Sequence, residues 1–291
     1  MPSERFTVLV ATDGSAPATA MLKTVVGFPW PRGTRASGVV AAEGWLGRGP
    51  AGQAHEVLER MLAATASEAV ATLAGRWPGV EVSRVAGPPA DGILRQARRR
   101  RATVIAVGSS GRGRLDRLVV GSVSTAVVRR ATCSVLVVKG RPSPIRRVVL
   151  GFDGSTNAWR AVDLVTKLAA PAGNRLTLVR AVEPERASSV ERLPPAGRRI
   201  VEERTAVLNE QALAAARRDV ERAAARLARR GWTVRADVRL AAAASAVLDA
   251  AETADLLVVG ARGAGGLRGL LIGSVADRAL HGAAASVLVV R

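Results

Sequence analysis

The sequence predicts two consecutive α/β units, each a five-stranded parallel sheet covered by helices on both faces. Three observations carry this. One motif is written twice: Gly108-Ser109-Ser110-Gly111, nine residues, then Gly121-Ser122; and Gly260-Ala261-Arg262-Gly263, nine residues, then Gly273-Ser274. The copies lie 152 residues apart in a chain of 291, and self-similarity at a fixed period signals a repeated structural unit. Apolar runs alternate with helical patterns, as βαβ units with parallel strands require. Runs such as Val104–Val107 and Leu256–Val259 are too apolar for a sheet wet on one face, and suit a sheet centre covered on both.

The elements follow in order. Thr7–Ala11 reads as a first strand, ending in Thr12-Asp13-Gly14-Ser15. Ser15 is a good helix N-cap, and Pro17 stands where an early helical proline is tolerated. The helix it opens carries Leu22, Val25 and Val26. Ser37–Ala42 is a second strand; His55–Ala74 is a helix with Val57, Leu58, Met61 and Leu62 on one face. Val80–Val85, Ala90–Arg100, Thr103–Val107, Ser122–Arg130 and Ser134–Val138 complete the first unit as strand, helix, strand, helix, strand.

The second unit repeats the series. Arg147–Gly151 is a strand, followed by Phe152-Asp153-Gly154-Ser155 and a helix through Ala161, Leu164 and Leu168. Leu176–Val182 is a strand, and a long arginine-rich helix lies within Ile200–Arg230, without a first-half counterpart of that length. Thr233–Val238, Ala246–Glu252, Leu256–Val259, Val275–Leu280 and Ser286–Val290 finish the set. Arg141-Pro142-Ser143-Pro144 reads as a short, stiff linker.

Composition bounds the function. No apolar run approaches the ~18 residues that cross a membrane, and Phe6–Ala11 is too short for a signal-peptide core. The single Cys133 excludes an intrachain disulfide and reads as a small core residue rather than a nucleophile. The expected location is the cytoplasm. The net charge is +19, and only three of 43 cationic residues are lysine. A basic surface attracts polyanions without naming one. Arg98–Arg101 is read as the solvated end of a helix, where cations complement the negative pole. Nucleic acid is not the expected partner. Tyrosine is absent and phenylalanine occurs only three times, so stacking platforms for single strands are scarce, and no zinc-finger or RNA-binding aromatic motif appears.

The repeated motif sits where α/β sheets bind ligands, beyond the carboxyl ends of the strands. Gly108 and Gly260 close a strand, where lacking a Cβ permits close backbone approach or positive φ. Gly111 and Gly263 repeat that permission. Gly121-Ser122 and Gly273-Ser274 precede a helix, whose free N–H groups make an anion site. The serine hydroxyl bonds either phosphate or its own helix start. Arg112, Arg114 and Arg117 in one loop, and Arg262 and Arg268 in the other, are candidates to pair with phosphate. The alternative is that the glycines only punctuate strand–loop–helix junctions; identical spacing in both copies favours nucleotide. Asp13 and Asp153 face the same crevice, either to hold a ribose hydroxyl or phosphate-bridging Mg²⁺, or to stabilise an Asp-Gly turn.

On these residues the chain resembles a tandem universal stress protein over essentially its whole length, once per half. The resemblance rests on both Asp-Gly-Ser turns, both glycine motifs and the terminal strands Cys133–Lys139 and Ala285–Arg291. It implies two Rossmann-like, adenine nucleotide α-hydrolase-like domains at 1–141 and 145–291, each with strand order 3-2-1-4-5. It implies ATP binding by Ala11, Thr12, Asp13, Ala42, Val107, Gly108, Gly111, Gly121, Ser122 and Val123 in the first half. In the second the set is Gly151, Phe152, Asp153, Ala181, Val259, Gly260, Gly263, Gly273, Ser274 and Val275. Adenine would rest near the main chain at Ala42 and Ala181, with Mg²⁺ at Asp13 and Asp153. The resemblance also implies pairing through the fifth strands, within the chain or in a homodimer. One departure is the third-strand end: Ala86-Gly87-Pro88-Pro89 in the first half, but Leu240 and an alanine run in the second.

The expected function is therefore an ATP-binding stress-response or signalling module with at most slow hydrolysis. Hydrolysis needs an oriented water and stabilised phosphoryl charge, and no base stands beside the glycine motifs. His55 and His281 are read as structural or exposed. An adenylating enzyme of the same broad fold would carry a Ser-Gly-Gly-x-Asp-Ser loop or a His-x-Gly-His motif; neither occurs, nor does a Walker Gly-x4-Gly-Lys-Ser.

Overall fold

The computed structural model describes residues 5–42, 51–109, 120–185, 194–263 and 272–291. The first half comprises β1 (Thr7–Thr12), α1 (Ala16–Gly27), β2 (Arg35–Ala42), α2 (Ala51–Ala74), β3 (Val82–Ala86), α3 (Pro89–Arg99), β4 (Val104–Gly108), α4 (Ser122–Arg130) and β5 (Ser134–Val138). The second comprises β6 (Arg147–Gly151), α5 (Thr156–Lys167), β7 (Arg175–Val182), α6 (Pro195–Ala228), β8 (Val234–Leu240), α7 (Ala243–Ala251), β9 (Leu256–Gly260), α8 (Ser274–Gly282) and β10 (Ser286–Val290).

All ten strands form one sheet in the order β3-β2-β1-β4-β5-β10-β9-β6-β7-β8. Each half is parallel with the order 3-2-1-4-5. The halves join where β5 and β10 pair antiparallel, Leu136 opposite Leu288. These two residues occupy the same place in the repeat, so the pairing is self-complementary, like a two-fold interface. The fifth strands would otherwise be exposed apolar edges; here both are buried along their length.

Two apolar layers cover the sheet and run through both halves. On one face Met21 and Leu22 of α1, Leu73 of α2, Val162 of α5 and Val220 of α6 pack on Val8, Leu136, Leu176 and Leu288. On the other, Ile93 of α3, Val127 of α4, Val247 of α7 and Leu280 of α8 pack on Leu9, Ile105, Val137 and Leu257. The period-two alternation along each strand sends neighbours to opposite layers. This two-sided cover is why the central strands contain so few polar residues.

The long α6 has a counterpart after all: α2, at 24 residues against 34. The extra length lies on the amino-terminal side, where Ile200 stays exposed. Apolar periodicity marks only the part that meets the sheet, so the outer turns carry no comparable signal.

The arginine run closes α3. Ala102 N–H donates to the Ala97 carbonyl at 2.9 Å and Arg101 N–H to the Arg98 carbonyl at 3.1 Å. Arg101 takes φ 48°. This is a Schellman ending with arginine at the left-handed position that usually holds glycine. Arg98 and Arg99 occupy the last helical turn, and Arg100 pairs with Glu81 at 2.8 Å.

Candidate functional site

In each half, the first strand, the fourth strand and the helix after it converge at the carboxyl edge of the sheet. The chain leaves the first strand toward one side and the fourth strand lies on the other, so a crevice opens between them. The two Asp-Gly-Ser turns there are built alike. Ser15 N–H donates to Asp13 Oδ1 at 3.0 Å, and Ser155 N–H to Asp153 Oδ1 at 3.0 Å. Gly14 and Gly154 stand at φ 76° and 79°, the left-handed conformation that lets the aspartate fold back on its own turn. Each serine then caps its helix: Ala18 N–H donates to Ser15 Oγ and Ala158 N–H to Ser155 Oγ. Both turn residues are therefore structural as well as candidate ligand groups.

The glycine motifs also match bond for bond. Ser109 N–H donates to the Val138 carbonyl and Ala261 N–H to the Val290 carbonyl. Gly121 N–H reaches the Ser109 carbonyl at 2.7 Å, and Gly273 N–H the Ala261 carbonyl at 2.7 Å. Each bond closes the neck of a loop and sets Gly121 or Gly273 as N-cap of α4 or α8. Neither cap uses a side chain. The first-turn N–H groups of each helix, at Ser122–Ser124 and Ser274–Ala276, have no partner four residues back. They present a positive pole to the crevice. Ser122 and Ser274 are exposed there, so neither hydroxyl is spent on capping. Of the other candidates, Ala11, Thr12, Val107 and Gly108 end β1 and β4, Gly151 and Val259–Gly260 end β6 and β9, and Val123 and Val275 follow the serines into their helices. Gly111, Arg112, Arg114, Arg117 and Arg268 lie outside the described residues.

Three details correct the reading of the sequence. The second-half motif glycines do not adopt positive φ; close approach explains them instead. A Cβ on Gly260 would lie 2.9 Å from Asn157 Cβ, and one on Gly263 2.6 Å from Asp153 Oδ2. The Asp153 carboxylate thus lies directly against the loop backbone. Phe152 turns its ring into the core, 5.1 Å edge-on from Trp159, so only its main chain borders the crevice. Finally, Ala42 and Ala181 are one step out of register. Ala11 aligns with Val39, and Gly151, its repeat equivalent, with Val179. Ala181 therefore matches Ala41, and Ala42 matches Val182. In the sequence the alanine-rich strand ends leave Ala41 and Val182 fitting nearly as well as Ala42 and Ala181.

The structure adds residues that the motifs do not include. Ser124 Oγ donates to the Gly108 carbonyl at 2.6 Å, tying α4 to the end of β4. Arg180 on β7 reaches under the second turn, its guanidinium 2.8 Å from Asp219 on α6 and 5.9 Å from the Phe152 ring centroid. A hydrogen bond from Arg222 is the largest influence on the Asp219 carboxyl; burial opposes it, and the charge and hydrogen bond of Arg180 add to it, so the carboxyl is held below the ordinary range. Thr65 of α2 fills the corresponding place under Gly14. Asn157 Nδ2 donates to the Arg262 carbonyl at 3.2 Å. Apart from the Arg222–Asp219 pair within α6, these are long-range pairings without local sequence signal.

Among the described residues no group of three or more His, Cys, Asp and Glu side chains could hold a metal ion. Asp13 and Asp153 each bring one carboxylate to their crevice. That fits Mg²⁺, which commonly takes one or two protein carboxylates and completes its shell with phosphate and water. His281 lies exposed in the last turn of α8, away from the crevice. Among the described residues no helix is long and apolar enough to cross a membrane.

Fold and site together define a tandem doubly wound α/β protein with one candidate crevice per half. Comparison with known proteins gives the family. The universal stress protein family profile matches residues 4–139 and 144–291, so the chain belongs to that family and carries its domain twice. It is similar to universal stress protein Rv2005c of Mycobacterium tuberculosis, 36% identical over 202 residues, covering 65% of this chain and 62% of that protein. Universal stress protein Rv1996 of the same species is 27% identical over 253 residues, 82% of this chain and 73% of that one. The chain thus spans under two thirds of the first of these relatives. Among solved structures, a universal stress protein from Archaeoglobus fulgidus superposes with a TM-score of 0.61 at 20% identity, covering 98% of both chains. A putative universal stress protein from Pseudomonas aeruginosa gives 0.57 at 17% identity, covering 99% of this chain and 93% of that one. At these identities the likeness concerns the fold.

Proposed function

We propose that each half binds one adenine nucleotide as ATP with Mg²⁺, and that the protein is a nucleotide-dependent stress-response module rather than a dedicated enzyme. The observation that carries this is the neck closure repeated in both glycine motifs. It sets the first-turn N–H groups of α4 and α8 at the carboxyl edge where β1 and β6 lead into Asp13 and Asp153, and in the second half the Asp153 carboxylate lies against the loop at Gly263. Phosphate oxygens would accept from those amides, and the aspartate would share Mg²⁺ with them or take a ribose hydroxyl. Mg²⁺ would neutralise phosphate charge beside the carboxylate. Main-chain groups at the ends of β2 and β7 would hold the base. Asp13 and Asp153 are engaged in their own Asp-Gly-Ser turns, where Ser15 and Ser155 N–H donate to them, a role that favours retention of ATP over turnover. Because β5 and β10 already pair, the chain forms its own pseudo-dimer, and a homodimer would need another surface. A cytoplasmic location accords with the single unpaired cysteine.

Extracting the purified protein with acid and identifying the released nucleotide by chromatography, together with titration of stripped protein with ATP, tests this. Two adenine nucleotides per chain are expected, with GTP competing poorly. Failure of millimolar ATP with Mg²⁺ to bind stripped, folded protein would refute it.

A further inference from the structure

We propose that Asn157 is a positioning residue for phosphate in the second half. The assignment rests on the nucleotide reading above. Asn157 is the second residue of α5, and its Nδ2 donates to the Arg262 carbonyl at 3.2 Å. Ser155 Oγ approaches the same carbonyl at 3.5 Å. On the other side of the amide, Arg160 reaches Asn157 Oδ1 at 3.5 Å. A guanidinium has only donors, so this contact keeps the amide NH₂ toward the loop.

The carbonyl of Arg262 and the N–H of Gly263 belong to one peptide unit. That unit is planar and trans, so its two polar ends point in opposite directions. Holding the carbonyl at the start of α5 turns the Gly263 N–H away from α5. The Gly263 nitrogen also lies 3.5 Å from where a Cβ of Gly273, the N-cap of α8, would be. Asn157 therefore aligns one more loop amide with the free amides of the α8 first turn. The corresponding place in α1, also its second residue, is Pro17, whose ring cannot donate. The first half therefore offers no amide side chain at this helix position.

A residue that orients a phosphate-facing amide should act on the phosphate part of a ligand alone. The test is titration of stripped Gly111→Val protein, in which the second crevice is left to bind, with ATP·Mg²⁺ and separately with adenosine. Asn157→Ala should weaken ATP about 5- to 30-fold, the loss of one oriented hydrogen bond, and leave adenosine within about twofold. Asn157→Asp keeps the shape but sets a carboxylate against the carbonyl, and should weaken ATP at least as much. Asn157→Pro, which copies α1 and preserves the helix start, should match Asn157→Ala. Equal weakening of ATP and adenosine would overturn the assignment, because a merely structural role loosens the whole crevice. So would unchanged ATP affinity in the Ala and Asp variants of a chain that binds ATP. Absence of binding to the wild-type chain would overturn the nucleotide reading as well, and so separates the two failures.

Discussion

Lys139 and Arg291 are equivalent residues of the repeat, and each caps a helix belonging to the other half. Lys139 Nζ donates to the carbonyls of Leu280 and Ala283 at the end of α8, both at 2.7 Å. Arg291 donates to the carbonyls of Val128 and Arg129 in α4, at 2.7 and 3.1 Å. Their backbones are exchanged in the same way: Lys139 N–H bonds Ser286 Oγ, and Arg291 N–H bonds Ser134 Oγ. The cations that follow the fifth strands thus lock the central seam. They satisfy last-turn carbonyls that have no partner within their own helix, those at the end of α8 being buried.

The seam makes stability depend on Lys139. Burial pushes its amine down to about 8 from 10.5. Below about pH 8 it is protonated in folded and unfolded chains alike. Between about 8 and 10.5 only the unfolded chain keeps the proton, so this group makes stability rise with pH across that window. A neutral amine still donates two hydrogen bonds, enough for both carbonyls. Lys139→Met should cost about 1–3 kcal/mol by leaving buried carbonyls unpaired, and should abolish the alkaline rise. Urea unfolding between pH 7 and 10.5 measures both.

Arg101 occupies the left-handed position of the α3 Schellman ending. A side chain there costs roughly 1–2 kcal/mol, offset in part by the greater freedom glycine has when unfolded. Arg101→Gly should raise stability by up to about 1 kcal/mol, while Arg101→Val should lower it. Thermal unfolding distinguishes the two; a loss of stability in the glycine variant would contradict the φ of 48°.

Gly154 meets two constraints, since φ is 79° and a Cβ would lie 2.9 Å from an Arg180 guanidinium nitrogen. Gly154→Ala should cost about 2 kcal/mol or more from backbone strain and displacement of Arg180. In an Arg180→Ala background the additional cost of Gly154→Ala should shrink. A double-mutant cycle reads the coupling; strict additivity would mean that the guanidinium does not support the turn.

Burial raises the Cys133 thiol to about 11. Little thiolate then exists at neutral pH, and thiolate is the reactive form. Iodoacetamide at pH 7.5 should label the folded protein at least about tenfold more slowly than the urea-unfolded chain. Comparable rates would show that the site is accessible and ionised.

Much of the fold was legible because each element carried a local signal. The glycine motifs marked the repeat, Ser15 and Ser155 marked helix starts, and Val-rich runs marked the central strands. The boundaries of α2 and α6 were less legible, since their outer turns meet no sheet and show no apolar rhythm. At the site, the residues in the two turns and loops could be named because the chemistry lay in contiguous motifs. Arg180, Asp219, Asn157 and Lys139 could not, because each acts on a partner tens of residues away or more. At the second-strand ends the sequence left Ala41 and Val182 as near-equal alternatives to Ala42 and Ala181, because register is a property of the neighbouring strand.

The central claim is that paired glycine loops grip nucleotide phosphate, one per half. Gly263→Val places a branched side chain where Asp153 Oδ2 already lies 2.6 Å from the Cβ position, and Gly111→Val makes the matching change in the first half. The decisive measurement is calorimetric titration with ATP·Mg²⁺ of wild-type, single and double variants, with circular dichroism to verify the sheet. Two sites falling to one in each single variant and to none in the double variant is the expected result. A folded double variant that still binds two ATP molecules with wild-type affinity would contradict the account.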